Sequence, residues 1–444
     1  MPDDKDTDES VDAGTGGGTG PVAGNHTVTE AGKKGFSLRS IRTFASLKNA
    51  AYRLYLTNMI AYTAAMNMEV MARNLLIWRL TESPTILGLK SLALAAPMLL
   101  FSLFGGVIAD RVPKNHVLLI GQLLSGVISL SVALSLTLGY LSEDHAGSWW
   151  ILILAAACQG TVVSLMMPSR QVLLYEIVGG HQILNAVSLN TVATNGMRVM
   201  GPAMAGFLVQ AFGFTVTYYV IAGLYLSSSV IISFLPRSSP TALGGQGALS
   251  NIKEGLNYVR REPIVLLVLV FALVGILLAT PYMTLMPIVA EEVLKVGAAG
   301  LGVMMSFIGI GAIGGSLILA SLPDRRRGCL LLISTVVFAL ALVGFAFSRS
   351  YYLSLALLIV VGLGQSGLIA VATAVLQDYS QDQYRGRVMS IFMTQLGLMG
   401  FAGFGAALLT EVMGVQQVIG TFAMVLAVLS LLTLAFVPRL RRLN

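Results

Sequence analysis

The chain has 444 residues, of which 55% are hydrophobic and only 11% charged, and its formal net charge is +7. Soluble domains carry about 25% charged residues, so this composition excludes an ordinary soluble enzyme. Cys158 and Cys329 are too few and too far apart for a disulfide framework.

The first 35 residues are polar and rich in Gly and Asp, without a cleavable signal peptide, and residues 1–50 read as a disordered cytoplasmic tail. From residue 51 onward, apolar runs of roughly 20 residues alternate with short charged loops. Runs of that length match a hydrocarbon core about 30 Å thick at about 1.5 Å rise per residue. Backbone N–H and C=O groups in lipid need partners within the protein, so these runs are predicted helices. The expected spans are roughly 52–78, 86–109, 115–140, 149–169, 185–210 and 214–235. A second set covers roughly 264–289, 298–322, 329–348, 352–376, 387–410 and 415–437. The sequence therefore predicts an all-α membrane protein of twelve transmembrane helices in two six-helix halves, 51–235 and 263–438. The linker 236–262 opens with Pro236 and Pro240, then reads as a short amphipathic cytoplasmic helix around Ile252, Leu256 and Val259. A basic tail, 439–444, closes the chain.

Internal echoes support duplication. Gln159 and Gln171 recur as Gln365 and Gln377 at an offset of 206. Ala186-Val187-Ser188-Leu189 precedes Gly201 by the interval at which Val388-Met389-Ser390-Ile391 precedes Gly403. Gly105-Gly106 has a counterpart in Gly314-Gly315. Parallel six-helix repeats are a transporter architecture.

The positive charges follow loop parity. Lys33, Lys34, Arg39, Arg42, Lys48 and Arg53 fall on the same predicted side as Arg111, Lys114, Arg237, Lys253, Arg260 and Arg261. Arg325-Arg326-Arg327, Arg385, Arg387, Arg439, Arg441 and Arg442 join them, whereas the opposite loops offer Arg79, Lys295 and Arg349. Basic loops stay cytoplasmic, so both termini are expected inside a bacterial inner (plasma) membrane. The basic balance thus reports topology, and no nucleic-acid partner is expected.

The segment Gly105-Gly106-Val107-Ile108-Ala109-Asp110-Arg111-Val112-Pro113-Lys114 resembles the loop 2–3 signature of the major facilitator superfamily. Glycine lets two helices approach closely, and Asp110 can pair with Arg111 or cap a neighbouring helix. The second copy is eroded, since Asp324 follows Gly315 by nine positions where Asp110 follows Gly106 by four. Leu184-Asn185-Ala186-Val187-Ser188-Leu189 and Arg198-Val199-Met200-Gly201-Pro202-Ala203-Met204-Ala205-Gly206 resemble span five of the enterobactin-exporter-like, transmembrane secretion effector branch. Pro168-Ser169-Arg170-Gln171 and Arg385-Gly386-Arg387-Val388-Met389-Ser390 fit the same branch. The Gly201-Pro202 stretch also resembles the antiporter signature of exporters, although its upstream glycine would fall at Met197 and Gly196 lies one residue out of register. The resemblance implies a secondary transporter with gating residues Gly106, Asp110, Arg111, Gly201 and Pro202. It also implies export of a siderophore, macrolide-like drug or other amphiphile by alternating access, with proton antiport, and spans one, four, seven and ten as the cavity lining.

Four ionisable residues sit within the apolar runs: Glu69, Arg73, Lys90 and Arg198. Each costs at least about 2.5–3.5 kcal/mol on insertion scales. Glu69 and Arg73 share a helical face, with Asn58 and Tyr62 nearly in line. Glu69 is the one acid well inside a span, which makes it the candidate proton carrier; a self-neutralising structural pair with Arg73 is the other reading. Arg198 lies near the middle of its span and would attract an anionic substrate, tune Glu69, or bond to backbone carbonyls. Lys90 can snorkel to the surface. Gln159 and Gln365, with Tyr62 and the Thr280-Pro281-Tyr282 break, are the candidate substrate-cavity residues. Helix–helix hydrogen bonding would equally account for the two glutamines.

Enzyme signatures are absent from the sequence. His26, His116, His145 and His181 have no metal-ligand spacing, and no Gly-rich phosphate loop occurs. No metal or cofactor is expected; the expected partners are a small-molecule substrate, protons and the lipid bilayer, with a monomer as the working unit. The alternatives on the same residues are an importer or lysolipid flippase on this fold, or a non-transporting membrane sensor or scaffold.

Overall fold

A computed structural model describes residues 45–142, 145, 147–178, 183–235, 248–322, 326–441 and 443, with the side chains of 102–111, 184, 248–253 and 396 outside the description. The N-terminal tail and most of the linker's first half therefore lie outside the described residues.

All described regular structure is helical. Helix α1 (Ala50–Thr81) starts where the Asn49 side chain accepts from the N–H groups of Ala51 (2.9 Å) and Tyr52 (3.4 Å), so two of its orphan donors are capped. It stops at Glu82 in the left-handed region, and Pro84 opens α2 (Pro84–Arg111), the first-turn position that tolerates proline. Helices α3 (Lys114–Thr137) and α4 (Trp150–Val178) follow. The long α5 (Ile183–Ser233) folds back on itself at Gly213, whose φ of 79° and ψ of 176° suit glycine alone. Its two arms are separate crossings.

The linker helix α6 (Ala248–Arg261) leads into α7 (Pro263–Ala279) and α8 (Tyr282–Ile288), which with a π-helical turn at Val289–Val293 form one broken crossing. Helices α9 (Gly297–Ser321), α10 (Arg327–Phe347) and α11 (Tyr351–Tyr379) are unbroken. Helices α12 (Asp382–Gly397) and α13 (Met399–Met413) make another broken crossing, and α14 (Val415–Phe436) and the short α15 (Pro438–Arg441) end the chain. Among the described residues, ten helical stretches are long and apolar enough to cross a bilayer. Dividing α5 at Gly213 and adding α1, whose Arg53, Glu69, Arg73 and Arg79 lower its hydropathy, is consistent with twelve.

The duplication is visible in the backbone. Gly414 between α13 and α14 has φ 83° and ψ 154°, close to Gly213 between the arms of α5. In the first half Gly201 lies against Ala64 and Asn67 of α1; its echo Gly403 lies against Thr284 of α8, in the equivalent seventh crossing. Within each half the helices bury an apolar core, while side chains such as Leu100, Phe212, Val428 and Phe436 stay on the outside, where lipid is their natural solvent.

The halves meet along two seams, the first arm of α5 on α9 and α2 on α13. Both seams depend on glycine. A side chain at Gly206 or Gly302 would run into the backbone of the facing helix, as would one at Gly400 into Ser91. Small residues let such backbones touch where no hydrophobic effect drives helices together.

Candidate functional site

Polar contacts between the halves gather at one end of the bundle, the end bearing Arg79. Arg79 pairs with Glu291 at 2.7 Å. The carboxylate of Glu411 accepts from the Ser83 hydroxyl (3.1 Å) and the Thr85 N–H (3.4 Å), and the Gln210 side chain accepts from Ala299 N–H (3.2 Å). At the opposite end, bearing Lys114, the described ion pairs stay within one half or tie the linker down. Lys114 pairs with Glu176 (3.0 Å), Arg327 with Asp378, and Arg387 with Glu254 of the linker helix (2.6 Å). Tyr258 of that helix stacks on Tyr384, ring centroids 4.3 Å apart, and its hydroxyl accepts from Gln381 N–H.

The seam between α5 and α9 shows where the halves part. At about 100° per residue, Val187, Thr191, Thr194, Arg198, Gly201, Pro202, Ala205 and Val209 form one stripe of α5. Gly201, Pro202, Ala205 and Val209 are buried, whereas Val187 is 42% exposed and Thr191 and Arg198 are exposed. The facing stripe of α9 behaves alike: Ala298, Gly302, Ser306 and Gly309 are buried, while Ser316, Leu317 (64%) and Ala320 are exposed. Near its deep end, Ser306 donates to Val199 O and Gly309 abuts Val199 and Arg198. Beyond that level residues of both stripes are exposed, so the seam is left uncovered toward the Lys114 end.

Glu69 and Arg73 are each only 3% exposed and form an ion pair one helical turn apart. Glu69 also accepts from the Tyr225 hydroxyl (2.7 Å) and the Ser129 hydroxyl (3.2 Å), so α1, α3 and the second arm of α5 all converge on one carboxylate. Gln159 donates its amide to Ser125 (3.2 Å) and to the Tyr225 hydroxyl (3.4 Å). An ordered line of donors thus runs from Gln159 through Tyr225 to Glu69. Asn58 and Gln122 exchange amide hydrogen bonds at 2.8 and 3.2 Å. The Tyr62 ring meets Tyr225 edge-on at 5.5 Å and carries the Arg170 guanidinium 4.0 Å from its centroid. Lys90 is buried within Coulombic reach of Glu69 and Arg73 rather than at the surface, against the snorkelling expectation. One acid and three cations, Arg73, Lys90 and Arg170, therefore share the interior of the first bundle.

The placement of the predicted residues is uneven. Glu69 and Arg73 are together, but Arg198 makes no hydrogen bond or ion pair with a described residue. Ala64 and Asn67, the α1 residues that meet Gly201, lie roughly 140° and 200° round the helix from Glu69. Arg198 and Glu69 thus occupy different faces, and the expectation that Arg198 tunes Glu69 finds no contact behind it. Tyr62 and Gln159 are buried inside the first bundle, turned toward α3 and α5 rather than the uncovered seam. Tyr282 and Gln365 are joined by a hydrogen bond of 3.4 Å, with Tyr282 buried and Gln365 half-buried. Pro202 sits at the seam, its carbonyl against Gly302 of α9, whereas Gly201 lies against Ala64 and Asn67 of α1. Gly106 lies in α2, but the side chains of Asp110 and Arg111 are outside the described residues. Tyr225, Ser129 and Gln122 carry no mark in the sequence, since Ser, Tyr and Gln are common in apolar helices and only tertiary pairing singles them out; Arg170 stands there only as part of a family motif, with no site role. Among the described residues no group of three or more His, Cys, Asp or Glu is placed to hold a metal ion.

A family model described as transmembrane secretion effector matches residues 41–443. The staphyloferrin A transporter of Staphylococcus aureus is 22% identical over 74% of this chain and 82% of its own length. The enterobactin exporter EntS of Shigella boydii is 24% identical over 82% of this chain and 87% of its own. The multidrug efflux pump Tap of Mycolicibacterium fortuitum is 25% identical over 78% and 86%. With the uncharacterised MFS-type transporter YfiS of Bacillus subtilis the match, at 28% identity, spans 43% of this chain and 44% of that protein. Among solved structures, the nucleoside transporter NupG superposes with a TM-score of 0.69 at 14% identity, covering 87% of this chain and 98% of that one. A bacterial homologue of the lysosomal transporter Spinster gives 0.67 at 12% identity, covering 91% and 99%. At such identities the structural likeness speaks to the fold.

Proposed function

This chain belongs to the transmembrane secretion effector family of major facilitator transporters, which are not enzymes, and we propose that it exports a small amphiphilic organic molecule by alternating access, in exchange for protons. The siderophore and drug exporters among its relatives support that cargo class. The observation that carries the reading is the seam between α5 and α9, sealed at the Arg79 end and parted toward the Lys114 end. With the basic loops cytoplasmic, this is an inward-open state of a bacterial plasma-membrane carrier with both termini inside. Cargo enters the gap from the cytoplasm, and separation of the Arg79–Glu291 and Glu411 contacts releases it outside.

Glu69 is the proton carrier in this reading. Its protonation removes the charge that holds Arg73, Tyr225 and Ser129 around it, and a change in those contacts shifts the balance between the two faces. Because the gap and Glu69 lie on different sides of α1, coupling runs through α1 as a body rather than through direct competition. Everted membrane vesicles with labelled siderophores and macrolides test the reading. Proton-gradient-dependent accumulation supports export, whereas accumulation in right-side-out vesicles would make the protein an importer. Orientation is checked separately: in a Cys158→Ala background, Tyr140→Cys is expected to react with an impermeant thiol reagent in intact cells and Cys329 is not.

A further inference from the structure

Resting on the export reading, we propose that Arg198 is the docking point for an anionic group of the cargo, so that the carrier selects amphiphilic organic anions bearing a carboxylate or phosphate. Arg198 lies fifteen residues from each end of its arm, counted from Ile183 (198 − 183) and to Gly213 (213 − 198). That is about 22 Å of helix in either direction, farther than an arginine side chain reaches, so snorkelling is closed to it.

Arg198 is also the last residue of its stripe before the seam closes, and it is exposed where Gly201 and Pro202, one turn on, are buried. Its guanidinium therefore belongs to the deep end of the gap. Among the described residues no acid offsets it there. The facing helix α9 contains no Asp or Glu, and neither does the first arm of α5. Both oxygens of Glu69 are taken by Arg73, Ser129 and Tyr225 on another face of α1. Glu291 and Glu411 serve the seal. Glu176, Glu254 and Asp378 are paired at the far end.

While the gap is open, water can solvate the guanidinium. Once the halves close over it, that water is excluded and an unpaired cation would be left in low dielectric, which is strongly unfavourable. A cargo carboxylate or phosphate removes the difficulty, since the planar fork of arginine takes either in a bidentate pair. The loaded carrier then closes over a neutral pair, whereas the empty carrier closes over a bare charge. Val187 and Leu317 on the parted stripes present apolar walls to the rest of such a molecule.

The test uses a matched trio of near-equal shape: 2-naphthoate, neutral 2-naphthamide and cationic 2-naphthylmethylamine, titrated by calorimetry against the purified full chain in lipid nanodiscs. The wild type is expected to bind the naphthoate preferentially. Arg198→Gln is expected to lose that preference by about tenfold to a hundredfold, the range of a charge-assisted hydrogen bond. Arg198→Lys keeps the charge without the fork and is expected to fall between; it also serves if the glutamine variant does not fold. Absence of naphthoate binding to the wild type, equal binding of the trio, preference for the amine, or naphthoate affinity unchanged in Arg198→Gln and Arg198→Lys would each overturn the proposal. Failure of the export reading is seen elsewhere, as absence of vesicle transport for every compound with the binding pattern intact.

Discussion

The two six-helix bundles share a backbone and differ in their chemistry. Gly213 and Gly414 turn the chain in nearly the same conformation, and Gly201 and Gly403 lie against the first and seventh crossings. Yet the interior of the first bundle holds Glu69, Arg73, Lys90 and Arg170, while the buried polar groups within the crossings of the second are uncharged among the described residues, Thr335, Gln395 and Ser430 for example. Gln159 and Gln365 show the divergence at one repeated position: the first feeds a chain of hydrogen bonds that ends on a carboxylate, the second meets a single tyrosine. Positions that let backbones touch are repeated in both halves, whereas the charged network is built in one. In the proposed exchange for protons, the first bundle is the half that responds to them and the second supplies the surface against which it moves.

The largest effect is expected where the charge network is cut. Glu69→Ala leaves Arg73 unpaired and is expected to destabilise the first bundle by about 3–5 kcal/mol, read as loss of thermal stability in detergent. Gln365→Leu, the comparable cut in the second bundle, is expected to cost about 0.6 kcal/mol; equal losses would erase the contrast between the halves. Next come the hinges. Gly213→Ala and Gly414→Ala each place a Cβ in a backbone region that disfavours it and are expected to cost about 1–3 kcal/mol apiece. Unequal costs would mean that the repeated backbone is not repeated in energy.

How far the sequence foretold this division depends on what each feature needed. Apolar runs, the repeat and the ion pair at Glu69 and Arg73 follow from spacing along the chain, because helical periodicity and bilayer thickness are local rules. The turns at Gly213 and Gly414 fall where the expected spans break, but nothing in the sequence singles out either glycine from its neighbours. Tyr225 and Ser129 were not, since their meeting with Glu69 joins helices 156 and 60 residues away. Lys90 failed for a related reason: its position near a helix end suggests a side chain that reaches the surface, and only the packing of α2 against the first bundle turns it inward.

Smaller effects sharpen the comparison further. Tyr225→Phe and Tyr282→Phe each delete one hydroxyl and are expected to cost about 0.6 kcal/mol and at most about 1.7 kcal/mol. The first is expected to change the pH dependence of vesicle transport and the second to leave it as in the wild type. Arg79→Ala, at the exposed seal, is expected to alter stability by less than about 1 kcal/mol while raising the population parted at that end, seen as faster labelling of a cysteine placed at Ala299.

If Glu69 carries the proton, its charge sets the balance between the sealed and parted states of the α5–α9 seam. Spin labels at Val187 and Leu317 report the separation at the Lys114 end by double electron–electron resonance. Two distance populations are predicted, with a ratio that changes with pH in the wild type and stays fixed in Glu69→Gln. A ratio that does not move with pH in the wild type, or that moves equally in Glu69→Gln, would contradict it.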